Sequence, residues 1–105
     1  MELGNIFESI PEEFDDELFD LLIQHGDVKI ERIVSKGHIS PKSGWYDQDH
    51  NEWVIILKGE ATITLENEEE LNLKVGSYLN IPAHTKHKVT WTKPKTETVW
   101  LAVHY

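Results

Sequence analysis

The sequence has no cysteine, few basic residues and no long apolar run. Because thiols are absent, disulfide bonds and thiolate metal sites are excluded, and a secreted disulfide-rich scaffold is excluded with them. Ten Lys and Arg residues face 19 Asp and Glu residues, which gives a formal net charge of −9. Nucleic acids and anionic membranes bind basic surfaces, so we expect neither as a partner.

The N-terminal residues lack the basic stretch and the apolar stretch of a signal peptide. We therefore expect no signal peptide, no membrane span and a cytoplasmic location. A length of 105 residues indicates one domain with one modest core. The apolar content of 39% argues against a disordered chain.

An α-helix is expected at about 11–25, within an N-terminal segment that spans 1–27 and packs on the rest of the domain. Ser9 and Glu12 have the spacing of a capping box. Four apolar residues then recur at helical spacing: Phe14, Leu18, Leu21 and Leu22. Gly26 is a natural C-terminal stop.

From Val28 onward, apolar and polar residues alternate with a period of two, which is typical of β-strands. Turn residues interrupt the alternation at regular intervals and divide 28–105 into eight or nine short strands. Evenly spaced short strands are typical of a sandwich or barrel. The sequence therefore predicts an all-β domain over 28–105, preceded by the single helix.

The first group of candidate site residues surrounds a predicted turn and the start of a strand. It comprises Asp47, Gln48, His50 and Glu52. Carboxylate and imidazole groups that lie this close in sequence can converge on a divalent cation. Glu52 shares a strand face with Val54 and Ile56, and an inward glutamate needs a partner or a metal. The alternative is a polar hairpin rim, because charged side chains are mostly exposed.

The second group is His84 and His87, which follow a proline turn. Two histidines three residues apart can meet at one site, or both can lie exposed beside the neighbouring lysines. The remaining histidines outside the turn are expected to be structural or exposed: His25, His38 and His104.

Two segments of the chain resemble the two sequence motifs of the cupin family. Glu52 is followed by six residues and then Gly59, as in the second half of the first motif. Gly76, Pro82 and His87 have the spacing of the second motif. The resemblance covers roughly 28–105 and implies a cupin-type double-stranded β-helix, that is, a jelly-roll barrel.

The chain also departs from both motifs. The first motif begins with two histidines, and here Trp45 and Asp47, or Tyr46 and Gln48, take their positions. His84 stands where the second motif usually has glycine. The resemblance therefore implies Glu52 and His87 as metal ligands, with Asp47, Gln48 and His84 as candidate replacements for the missing ones.

The function that the resemblance implies is the binding of a divalent metal and a small polar molecule in the barrel. Ligands without sulfur suit Fe, Mn, Ni or Zn, and an oxygenase, isomerase or lyase would fit. Without a metal, Glu52 and His87 are a candidate catalytic acid–base pair. The alternative, favoured by the loss of two histidines, is a metal-free binding or sensing module. Cupins often pair through edge strands, so a homodimer is expected through the apolar Thr98–Tyr105 strand.

Overall fold

The computed structural model describes residues 1–105 and consists of eight β-strands without a helix. The strands are β1 (Leu18–His25), β2 (Val28–Ser35), β3 (Glu52–Lys58), β4 (Ala61–Leu65), β5 (Glu70–Leu73), β6 (Tyr78–Ile81), β7 (His87–Thr92) and β8 (Thr98–His104). Five strands form one antiparallel sheet in the order β1-β2-β8-β3-β6, and three form a second sheet in the order β5-β4-β7. The predicted all-β jelly roll is confirmed. No helix is present that is long and apolar enough to cross a membrane.

The core lies between the two sheets and follows the alternation of the sequence. In β3, Glu52, Val54 and Ile56 are buried, whereas the residues between them are only partly buried. Both sheets contribute to one apolar cluster: Val54, Ile56, Ala61, Ile63, Leu73, Ile81, Trp100 and Ala102. Because side chains alternate between the faces of a strand, this register turns Glu52 toward the interior.

The C-terminal strand β8 is the centre of the large sheet. It pairs with β2 on one side and with β3 on the other. The prediction that Thr98–Tyr105 pairs with a second copy is therefore wrong, because β2 and β3 already occupy both edges of this strand. The edges of the large sheet are β1 and β6.

The helix expected at about 11–25 is also wrong. Leu18–His25 is strand β1, which pairs with β2 through a turn at Gly26. Across this hairpin, the Arg32 Nη2 atom lies 2.7 Å from the Asp20 Oδ2 atom. Pairing along a whole strand satisfies the backbone and overrides a weak helical preference.

Gly59 and Gly76, the two motif glycines, have nearly the same backbone conformation but different surroundings. Their φ angles are 87° and 88°. A Cβ atom at Gly59 would overlap Thr98 Oγ1 and would lie 2.7 Å from the Glu97 carbonyl oxygen. A Cβ atom at Gly76 would meet nothing within 4 Å. Substitutions at these two positions would therefore share the backbone strain, and only a substitution at Gly59 would add steric overlap.

Gly59→Ala should lower the free energy of unfolding more than Gly76→Ala. Both variants incur about 1–2 kcal/mol for an L-residue with positive φ. Only Gly59→Ala adds an overlap, which costs about 1–3 kcal/mol. Urea unfolding measured on both variants checks this, and equal losses would show that the contact between Gly59 and β8 is not a constraint.

Candidate functional site

A cavity of about 400 Å³ opens between the sheets. Its volume lies in the range of small-molecule sites. Apolar side chains from both sheets form part of the wall, among them Val54, Ile63 and Ile81. The ionisable and amide side chains that line it are Glu17, Lys29, Glu31, Tyr46, Gln48, His50, Glu52, His87 and His104. The cavity therefore combines an apolar wall with a set of groups that can form hydrogen bonds and transfer protons.

Glu52 lies at the start of β3, where its neighbours are His104 on β8 and Ile81 on β6. Its residue exposure is 9%. The Gln48 Nε2 atom donates a hydrogen bond of 2.9 Å to Glu52 Oε1. Every fully buried side-chain oxygen and nitrogen in the protein has a partner. Glu52 Oε2 has no protein partner, so this oxygen is accessible from the cavity that Glu52 lines.

His87 opens β7 and is held in one orientation. Its Nδ1 atom lies 2.8 Å from the Thr85 carbonyl oxygen. Because a carbonyl only accepts hydrogen bonds, Nδ1 carries the proton and Nε2 keeps a lone pair in the neutral ring. Tyr46 packs against the ring at a centroid distance of 5.7 Å. His87 is 5% exposed. Its Nε2 atom has no protein partner and is therefore accessible from the cavity that His87 lines.

Asp47 and His84 lie outside the cavity and contact each other. The His84 Nδ1 atom is 3.0 Å from Asp47 Oδ1, and the side chains are 70% and 42% exposed, respectively. The φ angle of His84 is 61°. This left-handed conformation is the one that glycine adopts most easily, and histidine tolerates it better than most residues. The departure from the family motif at this position is therefore accommodated by the backbone.

Of the five predicted metal ligands, the structure thus places three at the cavity and two outside it. The three are Gln48, Glu52 and His87. No group of three or more His, Cys, Asp and Glu residues has the arrangement of a metal site. Gln48 directs its amide nitrogen toward Glu52, and an amide NH₂ group is a hydrogen-bond donor only. The residues present do not fit a complete divalent metal centre, and the predicted Fe, Mn, Ni or Zn stays a prediction.

A hydrogen-bonded chain of ionisable side chains forms another part of the cavity wall. His104 Nε2 lies 2.7 Å from Glu31 Oε1, and His104 Nδ1 lies 3.0 Å from His50 Nε2. His50 Nδ1 in turn lies 3.3 Å from Asp49 Oδ1. Since an ionised carboxylate only accepts, Glu31 fixes the proton of His104 on Nε2. His104 Nδ1 then accepts a hydrogen bond from the Nε2–H group of His50.

The sequence analysis did not identify this hydrogen-bonded network of side chains. His104 was expected to be structural or exposed, and Glu31 was not singled out. Glu31 shares the alternating face of Lys29 and Ile33, and all three residues line the cavity. That alternation is the available signal for Glu31. Its partner His104 is 73 residues away and is found only once β2 is known to pair with β8.

Glu17 is a third carboxyl group at the cavity, in the segment before β1. Burial raises the pKa of Glu17, while its hydrogen bond with Ser35 and the charge of His38 act in the opposite direction. The Ser35 hydroxyl donates to Glu17 and accepts a hydrogen bond of 3.1 Å from Trp100 Nε1. These contacts hold the N-terminal segment against the sheet.

His104→Ala should reduce stability far more than His84→Ala. The first substitution leaves the Glu31 carboxylate buried with only Lys29 Nζ at 3.9 Å from its other oxygen, and such a loss costs about 3 kcal/mol. The second breaks an exposed pair that contributes less than about 1 kcal/mol. Chemical unfolding measures both values, and a His104→Ala loss as small as that of His84→Ala would argue against a buried chain.

Glu17→Gln should raise the free energy of unfolding at neutral pH. Folding raises the pKa of this carboxyl group, so its protonated form stabilises the folded state. That stabilisation is lost as pH rises through the folded pKa and the group ionises. The advantage of the variant should vanish below the ordinary pKa of 4.5, where the group is protonated in both states. Urea unfolding across this pH range tests the sign, with the exposed Glu13→Gln as the control. A variant that is less stable at neutral pH would contradict it.

Comparison with known proteins places the chain in a family. The sequence profile described as "Cupin domain" matches residues 32–104. The chain belongs to the cupin family, as the two motifs predicted. A comparison with curated proteins finds no match.

Solved structures show the same fold. A candidate mannose-6-phosphate isomerase from Ralstonia eutropha JMP134 has a TM-score of 0.95 and 41% identity, over 99% of this chain and 97% of that one. An RmlC-like cupin from Desulfovibrio desulfuricans has a TM-score of 0.75 and 17% identity, over 99% and 96%. The Fe(II) enzyme HppE, in complex with its substrate, has a TM-score of 0.69 and 18% identity, over 84% and 53%. The last two share the fold alone.

Proposed function

We propose that this cupin binds a small polar organic molecule in its cavity and transfers protons on it with Glu52 and His87. Two accessible atoms support the proposal, Glu52 Oε2 and His87 Nε2. Both belong to side chains of residues that are at least nine-tenths buried, and neither has a protein partner. Polar groups in protein interiors normally find a hydrogen-bond partner in the protein or in water, and a ligand in the cavity can supply the partner that these two accessible atoms lack within the protein.

The two groups suit an isomerisation or a lyase reaction. His87 Nε2 takes a proton from a substrate carbon and returns it to the neighbouring carbon. Glu52 Oε2 takes a hydroxyl proton and returns it to the neighbouring oxygen, so that no proton is gained or lost overall. The Thr85 carbonyl stabilises the Nδ1–H group of the imidazolium that forms, and positioned acid–base groups of this kind accelerate reactions by about 10²–10⁴-fold.

The relative from Ralstonia eutropha supports the isomerase class. At 41% identity it is named a candidate mannose-6-phosphate isomerase, and interconversion of an aldose and a ketose is a proton transfer between neighbouring carbons. The apolar residues Val54, Ile63 and Ile81 line the same cavity. Such a wall limits water at the reacting atoms and strengthens the electrostatic interactions there.

The metal-dependent alternative lacks a third ligand in position, because no three His, Cys, Asp or Glu residues are arranged as a metal site. Glu52 and His87 are donors that a divalent cation accepts. Gln48 would have to turn its amide to present the oxygen instead of the nitrogen. The binding or sensing alternative uses the same two open atoms without turnover.

The homodimer predicted from the family resemblance has a candidate surface at β1. This strand is an edge of the large sheet and exposes Leu21, Leu22 and Ile23. Exposed apolar edge strands favour pairing with another chain. The dimer stays a prediction, and its candidate contact surface is now β1 instead of β8.

Exchange of solvent deuterium into hexoses, followed by NMR, tests the function on protein purified without an affinity tag. We expect exchange at the carbon next to the carbonyl in at least one aldose. Glu52→Gln and His87→Gln should each reduce it by about 10²–10⁴-fold, whereas Asp47→Asn, outside the cavity, should retain it.

Elemental analysis of the same protein should find less than one Fe, Mn, Ni or Zn per chain. One metal per chain that is lost in Glu52→Gln would overturn the metal-free mechanism, and binding without exchange would favour the sensing module.

A further inference from the structure

We infer that the ligand is a small hydroxylated amine that enters the cavity as a cation, and that phosphorylated sugars are excluded. This inference rests on the proposed function and names the substrate class of the same cavity. Two features of the lining support it: its negative charge, and the absence of hydrogen-bond donors among the open atoms.

The charged residues of the lining are mostly acidic. Three carboxylates, Glu17, Glu31 and Glu52, face a single lysine, Lys29. The lysine ammonium lies 3.9 Å from Glu31 Oε2 and is 43% exposed at the side chain, so its charge is already balanced and partly in solvent. Even one protonated histidine would leave the lining negative, and the whole chain carries a formal charge of −9. The cavity therefore attracts cations and repels anions.

The open atoms also select for donors. In the neutral ring His87 Nε2 is an acceptor, and the ionised Glu52 Oε2 is an acceptor as well. An ammonium group offers three donors and each hydroxyl group offers one. A phosphate dianion offers acceptors alone, so the lone pairs of Glu52 Oε2 and His87 Nε2 would stay without a donor. The negative charge of Glu52 would also repel it. Matching of this kind discriminates between ligands of similar size.

Arginine is the side chain best suited to bidentate phosphate binding, and the only arginine of this chain is committed elsewhere. Arg32 forms hydrogen bonds of 3.0 Å and 2.7 Å with Asp20 Oδ2 and one of 3.1 Å with the Ile6 carbonyl oxygen. It also donates to the Glu8 carbonyl oxygen. Arg32 does not line the cavity, so no guanidinium group is available to a phosphate there.

Two partly exposed aromatic rings, Phe19 and Tyr46, line the same cavity. Aromatic rings attract organic cations through their faces. A cavity of about 400 Å³ has room for a ligand of hexose size. Together with the acceptor atoms, these features fit an amino sugar, which keeps the carbonyl group that the proposed proton transfer needs.

Isothermal titration calorimetry with mannosamine, mannose and mannose 6-phosphate tests the inference, because the three probes share a carbon skeleton and differ in charge. At low ionic strength we expect mannosamine to bind on the order of tenfold more tightly than mannose, and mannose 6-phosphate to bind most weakly. Glu52→Gln should remove most of the preference for the amine. Asp47→Asn, which changes an exposed carboxylate outside the cavity, should keep it.

Tighter binding of mannose 6-phosphate than of mannosamine would overturn the inference. Equal binding of mannose and mannosamine would also overturn it, while leaving the proposed binding of a small polar molecule intact. Binding of none of the three would reject hydroxylated amines of this size as ligands. The proposed proton transfer would still be decided separately by the deuterium exchange in the wider set of hexoses.

Discussion

Burial of ionisable side chains inside a small barrel is the constraint on which this site depends. Removing a charge from water costs several kcal/mol unless partners replace the solvent. Glu31, Glu52 and His104 meet this requirement where β2, β8 and β3 lie side by side, since Glu31 binds His104 and Glu52 accepts from Gln48. The central position of β8 thus serves both the sheet and the polar network.

Only selected atoms remain open once this network is complete. The Nδ1–H group of His87 donates a hydrogen bond to a backbone carbonyl, and one of the two Glu52 oxygens accepts a hydrogen bond from Gln48. The remaining nitrogen and oxygen belong to side chains of β-strand residues, so the pairing of the strands sets their placement. A cupin that lacks the usual pair of leading histidines therefore still presents an open carboxylate oxygen and an open imidazole nitrogen at its cavity. The same buried carboxylates that form the network also make the cavity lining acidic.

Alternation and turn residues are local signals, so the sequence predicted most strands of 28–105, although seven form there and not eight or nine. The sequence also predicted the inward face of Glu52 from Val54 and Ile56. The expected helix failed because the apolar spacing of Leu18–His25 does not report the partner strand, and hairpin pairing with β2 decides its conformation. The chain from Glu31 to His104 is not encoded locally either, because it depends on the order of strands in the sheet. Asp47 and His84 were sensible ligand candidates by spacing, yet the geometry of the turn directs them to each other outside the cavity.

The state of the histidine rings is the most direct test of the account. Long-range ¹⁵N–¹H correlation spectra, assigned with single-histidine variants, report which nitrogen of each neutral ring carries the proton. We expect His87 protonated on Nδ1 with a free Nε2, and His104 protonated on Nε2. A neutral His87 that carries its proton on Nε2 would contradict the account, because the cavity would then lack the lone pair on which the proposed proton transfer depends.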